Sequence, residues 1–277
     1  MPFTLSHAAA VLPGLRRTGG ARGPLVASAL VMGSLAPDMT YFAASVVPRA
    51  MEFGTFTHGP LGVVTVDAVT TAVLVGLWVL VRDPALALAP VRYRGRLHGW
   101  LRGRPERMGP VFALRFYLSA VIGSATHVVW DAFTHADRWG TRLVPVLNET
   151  VGGFGGYQIA QYGSSAAALV VLVWFVWPAL RRKPVAVPGS VPVLGRGTRR
   201  GAFALIGACL VVGAALRLAR WLAYHGEVSS PLDIIPTLCF GAGTGLATGV
   251  VAYAVWLRVA SPAPAGEESA AGGPAVE

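Results

Sequence analysis

Five runs of about 20 apolar residues, near 61–81, 111–133, 158–180, 201–224 and 234–257, constrain this chain more than any other feature. In hydrocarbon every backbone N–H and C=O must be satisfied within the segment, so runs of this length cross as helices. The expected fold class is therefore all-α: a polytopic membrane helical bundle with about five full spans. Composition agrees. Of 277 residues, 54% are hydrophobic and only 13% charged, too little solvating charge for an ordinary soluble domain.

A formal charge of +10 raises the question of nucleic acid. The placement of that charge points to topology instead. Arg82, Arg92, Arg94, Arg96, Arg102, Arg104 and Arg107 lie between the first two spans. Arg181, Arg182, Lys183, Arg196, Arg199 and Arg200 lie between the third and fourth. The alternate loops carry only Arg138 and Arg142, against Asp137, Glu149, Glu227 and Asp233. By the positive-inside rule the basic loops are expected in the cytoplasm of a bacterial cell, with anionic headgroups of the cytoplasmic membrane as their partners and no nucleic acid.

Residues 1–258 read as one integral membrane domain. Within it, 1–60 hold two apolar pieces too short to span, expected as an N-terminal short-helix hairpin with an outer loop. Segment 82–110 reads as an arginine-rich cytoplasmic loop, 181–200 as a cytoplasmic Pro/Gly-rich linker, and 259–277 as a disordered tail. "MPFTLSHAAAVLPGLRR" lacks the basic region ahead of an apolar core that a cleavable signal peptide has. Cys209 and Cys239 fall inside spans without partner spacing, so no disulfide is expected. "GAGTGLATG" over 241–249 suits close helix packing, and Trp174, Trp177, Trp221 and Trp256 suit an interfacial belt.

The chemistry sits in "THVVWDAFTH", 126–135, at the outer end of the second span. On a helix, residues four apart share a face about 6 Å apart, so His127 and Asp131 can reach one ion. His135, a further turn along, joins that ion only if the helix ends first. The same end should carry His58 of "TFTHGP", Asp38 of "GSLAPDMTYF" and, if the hairpin closes, His7 of "TLSHAA". The candidate set is thus His7, Asp38, His58, His127, Asp131 and His135, donors that suit Zn²⁺, or Mn²⁺ or Fe²⁺ in an oxygen-rich version. Asp38 doubles as a candidate general base. Singly, each residue also reads as an interfacial side chain or a helix cap, as Asp38 does after Ala-Pro. Together they cost too much in a span without a compensating partner. Asp67 reads as an interhelical polar contact more readily than as a carboxylate orienting a ligand histidine. His98 and His225 read as solvated loop residues.

These motifs also carry a resemblance. "MPFTLSHAAAVLP", "GSLAPDMTYF", "FTHGPLG" and "THVVWDAFTH" resemble the bacterial integral-membrane family called domain of unknown function 4184, from Met1 to about residue 258. The chain is also distantly similar to membrane-bound metal-dependent hydrolases. Their pattern pairs an N-terminal histidine, a Gly-Ser-x-x-Pro-Asp turn, a Thr-His pair and a His-x-x-x-Asp helix. It falls here on His7, Gly33 to Asp38, Thr57 with His58, and His127 with Asp131. Gly59-Pro60 stands where that pattern has a serine. The resemblance implies metal-assisted hydrolysis, and a site that opens near the outer leaflet implies a lipid or lipid-linked ester or phosphoester as the substrate class. Two other readings stay open: an ion-binding or proton-relaying protein without enzymatic activity, and a polar or metal cluster that only locks the hairpin to the bundle. The sequence leaves oligomeric state open.

Overall fold

A computed structural model describes residues 3–102, 107–182, 186–187, 189–228 and 231–260. Five helices are long and apolar enough to cross a membrane: Val66–Leu88, Pro110–Thr134, Gly156–Leu180, Arg196–His225 and Ile234–Ala260, here the first to fifth spans. The only strands among the described residues are the two-residue Thr150–Val151 and Phe154–Gly155, paired as a hairpin before the third span. The fold is an all-α polytopic membrane bundle. The part of the tail beyond residue 260 lies outside the described residues, as does part of the 181–200 linker.

The N-terminal pieces form the expected hairpin. A tightly wound helical stretch, Thr4–Gly14, runs away from the site end, turns through an isolated bridge between Leu15 and Ala21, and returns as helix Ala27–Gly33. The first piece packs on the second and third spans and the returning helix on the first and second. Val11, Leu15, Leu30 and Phe175 form the shared apolar core. Neither piece spans, so neighbouring helices must cover its backbone, and they do.

Close packing fixes the register of the returning helix. A Cβ on Gly123 would lie 2.4 Å from the Leu30 carbonyl oxygen, and one on Gly33 would lie 2.6 Å from that of Ala120. Glycine at both positions therefore lets the backbones touch. The Ser124 hydroxyl donates to the Gly33 carbonyl at 3.0 Å and locks the crossing.

The first span departs from the expected 61–81. Helix Pro60–Val64 precedes it, breaks at Thr65, and the span runs from Val66 to Leu88. Much of the expected arginine-rich loop is helical: Val91–Arg102 packs on the first and third spans. Trp100 donates to the Arg17 carbonyl at 3.1 Å and Arg96 to that of Leu180 at 2.9 Å. His98 is buried in this helix, 4.0 Å from Asp83, and not solvated as the loop reading implied. His225 is exposed, as expected.

The fourth and fifth spans pair closely, and a Cβ on Gly245 would lie 2.1 Å from the Cys209 carbonyl oxygen. The close-packing reading of 241–249 holds. Cys209 and Cys239 are free.

Candidate metal centre

At the end of the bundle away from the arginine-rich helix, three chain segments converge. Asp38 follows the 3₁₀ turn Ala36–Asp38, His58 ends helix Gly54–Thr57, and His127 and Asp131 face inward from the last turns of the second span. One donor atom from each lies within 4.8 Å of the others, and all four residues are buried.

The separations have a physical signature. His127 Nε2 lies 3.4 Å from Asp38 Oδ1 and 3.5 Å from Asp131 Oδ2. His58 Nε2 lies 3.6 Å from Asp38 Oδ1 and 3.5 Å from the same Asp131 oxygen. These distances are long for good hydrogen bonds. They are close to the separation of about 3.4 Å between two donors that share a Zn²⁺ at metal–ligand distances of about 2.1 Å, and all four donor atoms lie within 4.8 Å of one another.

The backbone sets both imidazoles for this arrangement. His127 Nδ1 lies 2.7 Å from the Ser34 carbonyl oxygen, and His58 Nδ1 lies 2.9 Å from that of Gly54. A carbonyl only accepts, so each Nδ1 carries the hydrogen and each Nε2 turns its lone pair to the centre. That is the outer hydrogen bond metal-bound histidines make. Neither Nε2 has a hydrogen-bond partner among the described residues, and Asp38 Oδ1 has none. The Thr4 hydroxyl donates to the other Asp38 oxygen at 2.5 Å, and the Thr57 hydroxyl donates to the Pro37 carbonyl at 2.9 Å. The Gly33–Gly123 contact holds the Ser34 carbonyl against His127.

Two buried carboxylates demand positive charge between them. Burial alone would raise the Asp38 pKa, but His127 and His58 hold it well below the usual carboxylate range. Burial pushes His58 down, and the carboxylates of Asp131 and Asp38 outweigh it, so its pKa stands above the ordinary imidazole value. A divalent cation is the other way to meet that demand, and the donor set fits one.

His7 and His135 lie outside the group of four. The His7 ring stacks on His127 with centroids 3.5 Å apart, and its Nε2 is 3.4 Å from Asp131 Oδ1. Burial, then His127, pushes the His7 pKa down to about 4, so it is neutral and lies against the outer oxygen of a ligand carboxylate. The His135 Nδ1 is 3.2 Å from the Asp131 carbonyl oxygen, and its Nε2 faces the Gln161 side-chain nitrogen at 3.1 Å. His135 thus brackets the helix end, with its Nδ1 also 3.7 Å from Asp131 Oδ2. Asp67 is fully buried and makes no hydrogen bond to another helix among the described residues, which removes the packing contact expected of it. His58 and His127 are its electrostatic neighbours.

Sequence reasoning brought the correct segments together and missed their supports. Thr4, Ser34 and Gly54 act through a hydroxyl or a backbone carbonyl. Only the close succession Thr4-His7, Ser34-Asp38 and Gly54-His58 hinted at them.

Beside the centre, a lateral groove of about 790 Å³ runs between the second and third spans. Ile122, Val129, Trp130, Phe133 and Ala160 line it, with Ala10 of the hairpin. Trp130 also meets His7 edge-on at 5.9 Å, so groove and centre share a wall.

The comparisons add one match. The family model described as domain of unknown function, DUF4184, matches residues 1–255. No curated protein matches the chain, and no solved structure does.

Proposed function

The chain belongs to the DUF4184 family, a membership that assigns no activity, and from its geometry we propose a membrane-embedded metal-dependent hydrolase acting on a lipid or lipid-linked ester or phosphoester. One observation carries this reading: Asp38, His58, His127 and Asp131 present four buried donors within 4.8 Å of one another, with both imidazoles oriented by backbone carbonyls. The six candidate residues of the sequence then divide by role. Four hold the cation, His7 supports Asp131, and His135 braces the end of the span. Asp38 is a ligand more than a general base, since one oxygen faces the centre and Thr4 takes the other.

Zn²⁺, or Mn²⁺ or Fe²⁺, held here would supply Lewis acidity and lower the pKa of a water toward about 7. Four protein donors would close a structural site, whereas a catalytic one keeps a position for water. A crevice of about 20 Å³ at His58 and Asp131 provides that position, since a cavity of about 10–15 Å³ admits one water. In the hydrolysis, the water oxygen bonds to the acyl carbon or phosphorus, the ester bond to the leaving oxygen breaks, and that oxygen takes a proton. The chain buries the centre from bulk solvent and orients the donors. The lateral groove, walled by side chains of two spans, suits the hydrocarbon of a lipid.

By the charge of its loops the arginine-rich end faces the cytoplasm, so the centre works at the outer side of a bacterial cytoplasmic membrane. Incubation of protein in mild detergent with radiolabelled phospholipid and ester substrates tests the reading. Metal-dependent release of product, lost in His127→Ala, is expected; turnover unaffected by chelator contradicts it.

The closed shape of the donor set favours a second reading, a structural cation that fastens the hairpin to the second span. In that case metal removal lowers thermal stability and no substrate turns over.

A further inference from the structure

We propose that Arg138 is the anion-holding residue of this centre and that the group it holds is a phosphoryl group, which makes the substrate a phosphoester and not a neutral carboxylic ester. This rests on the metal-centre reading and names its substrate class.

Arg138 stands between His135, the C-cap of the second span, and helix Trp139–Leu143. Its loop is held rigidly against the site. Asp137 adopts φ +60°, a left-handed conformation that short polar residues tolerate. A Cβ on Gly140 would lie 2.5 Å from the Ala132 carbonyl oxygen, so glycine lets the loop fold back on the last turn of the span. The fully buried Thr141 hydroxyl donates to the Arg138 carbonyl at 3.0 Å, and Asn148 donates to the Thr141 carbonyl at 2.8 Å.

The side chain so placed lines the same small crevice as His58 and Asp131, the one with room for a water. Its charge reaches the Tyr41 hydroxyl, whose ring packs on His58 at 5.5 Å. Yet the guanidinium makes no ion pair or hydrogen bond among the described residues. Other arginines near the core are committed: Arg217 to the Tyr41 carbonyl, Arg199 to that of Leu88, Arg96 to that of Leu180. Arg138 alone among these has its five donors free and stands at the mouth of the centre.

Charge favours the phosphoester. Asp38 and Asp131 balance a divalent cation, and Arg138 adds a positive charge at the crevice beside Asp131, while the buried Asp67 bears on His58 and His127. A carboxylic ester is neutral and offers a guanidinium only its carbonyl oxygen. A phosphate monoester offers one oxygen to the cation and two more, charged, to the planar fork, the bidentate geometry arginine recognises. The guanidinium also stabilises the oxygens as the ester bond breaks. Phosphoryl chemistry reaches this site from two sources, a lipid phosphate or soluble phosphate.

The experiment titrates inorganic phosphate, and separately dodecyl phosphate, into the full chain in a phosphate-free non-ionic detergent after loading with Mn²⁺. Paramagnetic broadening of the ³¹P resonance reports binding, and elemental analysis reports metal in the same samples. Phosphate should broaden saturably. Arg138→Gln should weaken binding about tenfold or more with metal content unchanged, and Arg138→Lys should restore part of it, because the ammonium keeps charge without the fork. Tighter binding of dodecyl phosphate assigns the source to lipid, and equal binding to soluble phosphate; both keep the proposal if the Arg138 contrast holds. Metal-loaded Arg138→Gln that binds phosphate like the parent overturns the proposal and leaves the metal centre standing. Equal phosphate affinity of metal-stripped and metal-loaded protein, read by isothermal titration calorimetry, makes Arg138 a headgroup contact and also overturns it. A chain that takes up no metal overturns both readings.

Discussion

The second span and the fourth, of 25 and 30 residues, are both long and apolar enough to cross a membrane, and the fold uses them differently. The second, Pro110–Thr134, is 28% buried over its most apolar stretch and turns Ser119, Ser124, His127, Asp131 and Thr134 inward. The fourth, Arg196–His225, is only 6% buried over the same measure, with Ala202 its one fully inward residue, and pairs mainly with the fifth. Polar residues explain the contrast. Burying His127 and Asp131 in a membrane is expensive unless partners meet them, so the chain wraps an N-terminal hairpin and two short helices around that end. The fourth span carries no such debt and leaves most of its surface to lipid. Its polar handles, Arg199, Arg217 and Arg220, need only backbone carbonyls and the Ser45 hydroxyl.

The largest break in this contrast comes from the ligands. His127→Ala or Asp38→Asn should abolish metal retention through purification, measured by elemental analysis, because each removes one of four donors. Cys209→Ala in the fourth span should leave metal content unchanged.

A bulky residue at the closest helix crossing comes next. Gly123→Val drives a side chain into the Leu30 carbonyl and should destabilise the protein by about 2–4 kcal/mol while weakening metal binding. Gly245→Val in the distal pair should destabilise similarly, yet its folded fraction should hold metal normally. Thermal unfolding with and without chelator separates the two.

Smaller is the loss of a supporting hydrogen bond. Thr4→Val frees the second oxygen of Asp38 and should weaken metal affinity about tenfold, at the low end for outer hydrogen-bond partners, and lower the metal-free stability by about 1–3 kcal/mol.

A different kind of effect is the pH dependence of the metal-free protein. His7 and His135 are both lowered to about 4, chiefly by burial, whereas an unfolded imidazole titrates near about 6.5. Between those values the unfolded chain binds protons that the fold refuses, so stability should fall as pH drops from about 6.5 to about 4. His58, raised in the fold, acts in the opposite sense: its contribution is complete below about 6.5 and is lost as pH rises through its folded value. His7→Phe, which keeps an aromatic ring beside His127, should flatten the acid slope in a thermal-shift series.

How much of this was legible in the sequence follows from the same contrast. The five spans were legible because lipid imposes a length and a composition on each. His127 and Asp131 were legible because four residues is one helical turn. The meeting of His58 and Asp38 with them required only that their ends face the same side. Asp67 was misjudged, because a carboxylate one turn into a span gives no sign of whether it meets a helix or an ion site. His98 was misread because arginines flank it, although the apolar faces of Leu97, Trp100 and Leu101 bury that helix against its neighbours. Ser34 and Gly54 were invisible as site residues since they contribute backbone carbonyls, which every residue has. Arg138 looked like one charge in a nearly uncharged loop, and its value came only from the crevice over which Gly140 and Thr141 hold it.

X-ray absorption at the zinc edge of the purified, zinc-loaded chain tests the central claim most directly. The account predicts about one zinc per chain, with two imidazole nitrogens and carboxylate oxygens at about 2.0–2.2 Å, and in His58→Ala either loss of the zinc or one imidazole in place of two. A chain without bound zinc, or a spectrum showing hydrated zinc with no imidazole scattering, would contradict it.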